Sequence, residues 1–367
     1  YDLGISSFYG LEGAPIMWDG IPVFPGVAGH YGDQHLIDHA IRFFGGDPRG
    51  GLVVTLLDVW VMNPAFAREL NMACWVPVDH EPAPPQVVEF LVESNAVPIA
   101  MSRFGERMLG RLDPLYVPHA IDTNVYKRHD KKAVRQRLGC PEDVFLVGMV
   151  AANKGRPSRK GFSQAFQALG QFMREHEDAY LYLHTMLDPS MAQGENIPRL
   201  LEACEVPMDR VMKADQYRVM FDPLPPEQMA AVYSAMDVLL NPSMGEGFGI
   251  TPLEAQACGV PVIATQFSAM EEVCGAGWLV DFDRFFTGLN SWQAVPKVPD
   301  ILDALQECYG QSEVQYRKKS MAARQHACEY DVQKVMKQFM LPALRTAEHR
   351  LSSQKPKTIK PRMVAAA

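Results

Sequence analysis

NPSMGEGFGITPLEAQACG, residues 241–259, joins a short apolar run to a helix through a glycine-rich turn and places two carboxylates, Glu246 and Glu254, around that junction. Val238-Leu239-Leu240 just before it is short enough for a buried strand. Gly245, Gly247 and Gly249 supply unhindered backbone that a ligand can approach. Thr251 reads as the N-cap of the following helix, Pro252 as its first residue and Gly259 as its C-terminal stop. Free amide N–H groups and the positive end of the helix dipole make such a junction an anion site, so a phosphate is its natural guest.

Each part has a structural alternative. Thr251-x-x-Glu254 is also a capping box, in which Glu254 returns a hydrogen bond to the helix start, and Glu246 also fits a solvated loop carboxylate. Neither alternative accounts for glycines, acids and helix start falling together, with a basic segment upstream.

The run Ser243 to Gly259, continued by Val260-Pro261-Val262-Ile263-Ala264-Thr265 and Glu271-Glu272-Val273, resembles the donor-site signature of the retaining glycosyltransferases of family 4. That pattern is roughly PS-x-x-EGFG-x-x-x-LEA-x-A-x-G-x-PVIA, and nearly every fixed position is matched. It is long and combines residue types with distinct tasks, unlike an isolated G-x-G-x-x-G. The resemblance implies the α/β GT-B fold, in which two Rossmann-like doubly wound parallel-sheet domains face a cleft.

Further matches run outward. Phe145 to Ala152 reads as a buried strand, and Asn153-Lys154-Gly155-Arg156-Pro157-Ser158-Arg159-Lys160-Gly161 after it resembles the family's basic loop. The family usually has Gly-Arg directly after this strand, where the chain has Ala152-Asn153. Arg159 and Lys160, beside the matching glycine, are therefore assigned to the diphosphate, with Arg156 and Lys154 as substitutes; a solvated basic loop is the alternative. Phe162, Ala165, Phe166, Leu169, Phe172 and Met173 recur at helical spacing and read as core. Tyr180 to His184 is strand-like, and Leu224-Pro-Pro-Glu227 leads into a helix before the opening motif. The alternation of strand and helix argues for a doubly wound parallel sheet.

In the first half, Leu52–Leu57, Ala73–Pro77 and Val97–Met101 are short apolar segments separated by helical stretches, which implies a second α/β domain. Pro118-His119-Ala120-Ile121-Asp122 resembles the family's domain junction, usually Pro-Asn-Gly-Val-Asp. Asp79 and His80 follow one of these strands, where open α/β sheets bind ligands. The family often has a histidine there facing the transferred sugar; a structural role is the alternative. Arg103, after Ser102, and Asp79 are candidates on the acceptor side, with a surface salt bridge as the equal alternative for Arg103. The chain's opening, Tyr1-Asp-Leu-Gly-Ile-Ser-Ser, reaches Trp18–Val23 soon, so the first βα unit, roughly 30–40 residues, is expected to be absent. The expected divisions are an acceptor-side domain over 1–125, a nucleotide-sugar domain over 126–330, a helix over 331–352 crossing back, and a flexible tail over 353–367.

The implied function is transfer of a hexose from a UDP- or GDP-linked sugar to an acceptor hydroxyl, with retention and without metal or other cofactor. Arg159, Lys160 and the amides near Phe248-Gly249-Ile250 would hold the diphosphate, with Gly247, Thr251 and Asn153 in the same donor site. Glu246 would hold sugar hydroxyls, Glu254 the ribose, and His80 would orient sugar or acceptor. A nucleotide-sugar-binding protein without transferase activity is the first alternative and a nucleotide-sugar epimerase the second. A hydrolytic glycosidase is disfavoured, since its two carboxylates must flank the scissile bond.

Composition sets bounds. A chain of 367 residues with 47% hydrophobic content has room for two cores, and no run approaches the ~18 apolar residues of a membrane span. Seven cysteines without paired spacing fit a reducing cytoplasm. A net charge of −8 disfavours nucleic acid as a partner. The basic stretch Lys127 to Arg137 and the tail lysines read as solvated surface first and as contacts to anionic lipid second. His30, His35 and His39 with Asp33 and Asp38 have spacing that would serve a metal, but a surface helix is the simpler account.

Overall fold

In the computed structural model, residues 1–8, 10–26 and 31–353 are described; of the tail expected over 353–367, Ser353 still belongs to the last helix and the rest lies outside the described residues. From Phe145 onward, buried aliphatic runs pair into one 6-stranded sheet. Its order is Val211–Lys213, Ala179–His184, Phe145–Val150, Val238–Asn241, Val262–Thr265 and Gly277–Val280, and every pairing is parallel. In chain order that is 3-2-1-4-5-6, the doubly wound arrangement whose order reverses between Phe145–Val150 and Val238–Asn241. Loops leaving the carboxyl ends of those two neighbours flank a crevice, and they are the basic loop and the glycine-rich turn.

The helix Phe162–Glu175 shows why the basic loop is held firmly. Its stripe Phe162, Ala165, Phe166, Leu169, Phe172 and Met173 is wholly buried against the sheet. Each large side chain contributes about 1.5–3 kcal/mol by leaving water. Gly161 precedes it at φ 67, and a Cβ there would strike the carbonyl of Pro242, so only glycine lets the two loops touch.

The first half contains a 4-stranded parallel sheet of Val53–Leu56, Met72–Val76, Val97–Ala100 and Leu115–Tyr116, in that order. Residues Ile5–Ser6, Ile21–Phe24 and Ile16–Trp18 make a separate 3-stranded sheet beside the helix Asp33–Phe43. The α/β architecture of two parallel-sheet domains is thus present. The final helical stretch, Val332 to Ser353, returns to the first domain, where Val335, Ala343 and Ala347 pack with Ala73, Val97, Ile99 and Val117. No described helix is long and apolar enough to cross a membrane.

One element has no counterpart in the reading from sequence. After the last parallel strand the chain forms an antiparallel hairpin, Phe282–Phe286 with Trp292–Pro296. Trp292 pairs with Glu81 of the first domain through backbone hydrogen bonds of 3.0 and 3.2 Å, and Phe282 and Ala294 join that domain's core. The same hairpin accepts no solvent at Ala294, whose N–H donates to Met244 of the glycine-rich turn at 2.9 Å.

Candidate functional site

The helix after the glycine-rich turn runs Ile250–Ala257, and its N-cap is Gly249, not Thr251 as expected. Gly249 takes φ 106, a left-handed conformation that frees it to begin the helix without a side-chain cap, and Thr251 falls inside the first turn. The capping box therefore does not form. Glu254 instead accepts from Tyr233 Oη at 2.8 Å and from the Tyr126 hydroxyl. Burial raises its carboxyl pKa, while both tyrosines pull the other way.

Glu246 is the centre of the arrangement. Its side chain is 10% exposed, and Lys160 Nζ and Arg159 Nη1 both donate to it, the latter at 3.1 Å. Ser243 adds another hydrogen bond, and the Glu246 N–H donates to Ser268 Oγ at 2.9 Å. Burial alone would raise this carboxyl, but Lys160 and Arg159 outweigh it and hold it down at about 2. The site therefore contains a stably ionised acid between two cations. Arg159 also donates to the Gly245 carbonyl at 2.7 Å and comes within 4.0 Å of Asp79 Oδ2, while its own side chain stays 45% exposed.

Asp79 and His80 come from the loop after Met72–Val76 in the opposite domain. His80 is buried, and its Nδ1 lies 2.6 Å from Asp79 Oδ1. Gly245 and Gly247 abut Asp79 and Pro77 of this loop, so these two glycines are used for contact between domains. The structure thus gathers Arg159, Lys160, Glu246, Asp79 and His80 into one polar cluster at the crevice. Ile250 opens to solvent at the helix start, whereas Phe248 is buried edge-on to His119 and Tyr330.

Two expected site residues stand apart. Asn153 is consumed by its neighbours: its Nδ2 donates to the carbonyls of Met186 and Glu195 at 3.0 and 2.8 Å, and its Oδ1 accepts from the Glu195 N–H at 2.9 Å. That amide pins the 186–195 loop and has no donor left for a ligand. Arg103 pairs with Glu106 at 2.7 Å and stacks over Tyr116, so the surface ion-pair alternative describes it. Arg156 reaches the Gly194 carbonyl at 2.5 Å. Of the N-terminal histidines that are described, His39 binds Ser6 Oγ at 2.8 Å and stacks on Phe24, and His35 faces Asp38. His30 lies outside the described residues, among which no group of His, Cys, Asp and Glu is placed to hold a metal.

Four contributors were missed. Asp58, at the carboxyl end of Val53–Leu56, shares the cleft with Asp79, Arg159 and His80; burial and Asp79 raise its carboxyl pKa. Its strand-end position was the available signal. Tyr126 and Tyr233 carry no local signal that ties them to Glu254, and Gln293 sits in a hairpin that no motif marks.

Residues 155–289 match the family described as Glycosyl transferases group 1. The chain is 33% identical over 155 residues to a D-inositol 3-phosphate glycosyltransferase of Corynebacterium jeikeium, covering 41% of this chain and 35% of that protein. It is 31% identical over 196 residues to the protein of the same name from Stackebrandtia nassauensis, covering 52% and 42%. These matches span less than half of the relatives' own length. Among solved structures, sucrose-phosphate synthase from Thermosynechococcus elongatus superposes over 95% of this chain and 90% of its own, with TM-score 0.70 at 18% identity. Anabaena Alr3699/HepE in complex with UDP and glucose does so over 89% and 87%, with TM-score 0.65 at 16% identity. Such likeness concerns the fold. The matched segment, 155–289, carries the cationic residues Arg156, Arg159 and Lys160 and both acids of the site, Glu246 and Glu254.

Proposed function

We propose that the protein transfers a hexose from a UDP- or GDP-linked sugar to an acceptor hydroxyl, with retention at the anomeric carbon and without a metal. The observation that carries this reading is the Arg159–Lys160–Glu246 cluster at the point where the strand order reverses, beside the start of the helix Ile250–Ala257. Two fixed cations and the amides of a helix start suit a diphosphate, and they can supply the charge neutralisation that a divalent ion supplies elsewhere.

As the bond from the anomeric carbon to the phosphate oxygen lengthens, positive charge grows on the sugar and negative charge on the diphosphate. Arg159 and Lys160 stabilise the latter without reorganising, because Glu246 already fixes both. Glu246 keeps oxygen lone pairs for sugar hydroxyls, and Glu254 does so for the ribose. The acceptor oxygen bonds to the same face that the phosphate leaves, and its proton passes to a leaving-phosphate oxygen. Asp79 and His80, across the crevice, orient the sugar and acceptor, with Asp58 on the acceptor side. The names of the sequence relatives make a phosphorylated polyol the first acceptor to try.

Incubation with UDP-, GDP- and ADP-sugars, with and without D-inositol 3-phosphate, tests the reading. Acceptor-dependent transfer with retained configuration supports it. Epimerised sugar, or nucleotide binding without turnover under every condition, replaces it with one of the two alternatives.

A further inference from the structure

The hairpin Phe282–Pro296 belongs by chain connection to the donor-side domain but is fastened to the loop that carries His80. Trp292 exchanges backbone hydrogen bonds with Glu81, Ser291 Oγ donates to the Pro82 carbonyl, and Arg284 pairs with the Glu81 carboxylate at 2.8 Å. A hairpin register is fixed residue by residue, so these anchors decide which side chain meets Asp79. That side chain is Gln293, 6% exposed, whose Nε2 donates to Asp79 Oδ2 at 3.3 Å. The other carboxylate oxygen, Oδ1, faces His80 Nδ1 at 2.6 Å.

A carboxylate only accepts, so the glutamine must turn its amide N–H toward Asp79 and the histidine must carry a proton on Nδ1. Nε2 is then the nitrogen left for a ligand. Arg159 competes for the same carboxylate: its Nη1 stands 4.0 Å from the oxygen that Gln293 holds. Without Gln293, Asp79 is free to turn toward Arg159, which releases the imidazole. The charged groups around His80 are Asp79, Asp58 and Arg159, while Glu81 is taken by Arg284.

We propose that Gln293 is a positioning residue, through which the inter-domain hairpin holds Asp79 and so fixes the tautomer and orientation of the His80 ring. This rests on the transferase reading for the task it gives His80, but the geometry it describes can be tested without turnover.

The test uses the full chain with Gln293→Met, which keeps side-chain volume and removes the donor, and Arg284→Ala, which removes one side-chain anchor but leaves the Trp292–Glu81 backbone pairing that sets the register and places Gln293. The ring nitrogens of His80 are followed by 15N NMR, with kcat and donor KM measured on the sugar found active. In the unaltered protein His80 shows a protonated Nδ1. Gln293→Met is expected to give a mixture of tautomers and to lower kcat between about 10- and 100-fold, as loss of orientation does, with donor KM little changed. Arg284→Ala is expected to lower the melting temperature and leave the tautomer alone. An unchanged His80 signature and kcat in Gln293→Met overturns the proposal, as does an equal change in Arg284→Ala. If Gln293→Met does not fold, Gln293→Glu replaces it: two facing carboxylates should release the ring at neutral pH and recapture it on acidification, and a ring that stays fixed throughout overturns the proposal. Absence of transfer from every donor defeats the transferase reading, and the NMR result then still decides the relay.

Discussion

The Lys160 ammonium meets the Glu246 carboxylate across 86 positions of sequence, with both groups nearly buried between two loops. The contact exists because Gly161 lets the basic loop touch Pro242, which brings two strand ends of one sheet within a side chain's reach. An acid so placed is a holder of cations before any ligand arrives.

Replacing Lys160 by Met should reduce turnover by about 10²–10³-fold, the usual effect of removing one preorganised charge at a developing anion. It should also cost about 3–5 kcal/mol of stability, because Glu246 is left buried with half its compensation. The double variant Lys160→Met/Glu246→Gln should regain most of the stability and none of the turnover. Urea denaturation beside steady-state kinetics checks both halves.

Glu246 also predicts acid behaviour. Its carboxyl is held at about 2 in the folded chain, below an ordinary value near 4.5, first against burial and then by Lys160 and Arg159. A depressed carboxyl stabilises fully above the unfolded pKa and loses that contribution as pH falls through the folded one. About 3 kcal/mol should disappear between roughly pH 4.5 and 2. Glu246→Gln should flatten the stability profile in that window, measured by denaturation at stepped pH.

Glu254→Gln should weaken nucleoside diphosphate binding by about 1.5–3 kcal/mol, or roughly 10- to 100-fold, by replacing a charge-assisted acceptor with a neutral one. Turnover at saturating donor should stay close to the original, since the ribose is remote from the breaking bond. Tyr233 keeps an acceptor in this variant, so folding should hold. Calorimetric titration with UDP and GDP reads the result.

Glu272 accepts the Arg103 backbone N–H at 2.8 Å and so joins the two domains. Burial lifts its carboxyl to about 7, against that hydrogen bond and the charge of Arg103. A raised carboxyl has the opposite linkage: the folded state holds the extra proton, so stability falls as pH rises from about 4.5 through 7. Glu272→Gln, which preserves an acceptor, should raise the melting temperature at pH 8 and match the original protein near pH 4. Thermal scans at the two pH values check the sign.

Much of the donor-side architecture was legible because its signals are local. Apolar runs of four to six residues gave strands, the Phe162 to Met173 stripe gave a helix, and their alternation gave a parallel sheet. The N-cap was misassigned because threonine followed by proline looks like a helix start, while the left-handed Gly249 begins it two residues earlier. Asn153 was placed at the donor by its position after a strand, yet its amide is used up by a loop more than thirty residues away.

By itself the sequence determined the parallel-sheet framework and the nature of the chemistry on offer, since strand length, helical period and the glycine, acid and basic residues are all written within short windows. Only the tertiary structure decided which groups face each other: Glu246 between Lys160 and Arg159, Glu254 under two tyrosines, and Gln293 across the domain boundary at Asp79. The reason is physical. Backbone propensity acts over a few residues, whereas hydrogen bonds between buried polar groups depend on distances set by sheet order, loop contact and domain packing, none of which a short window contains.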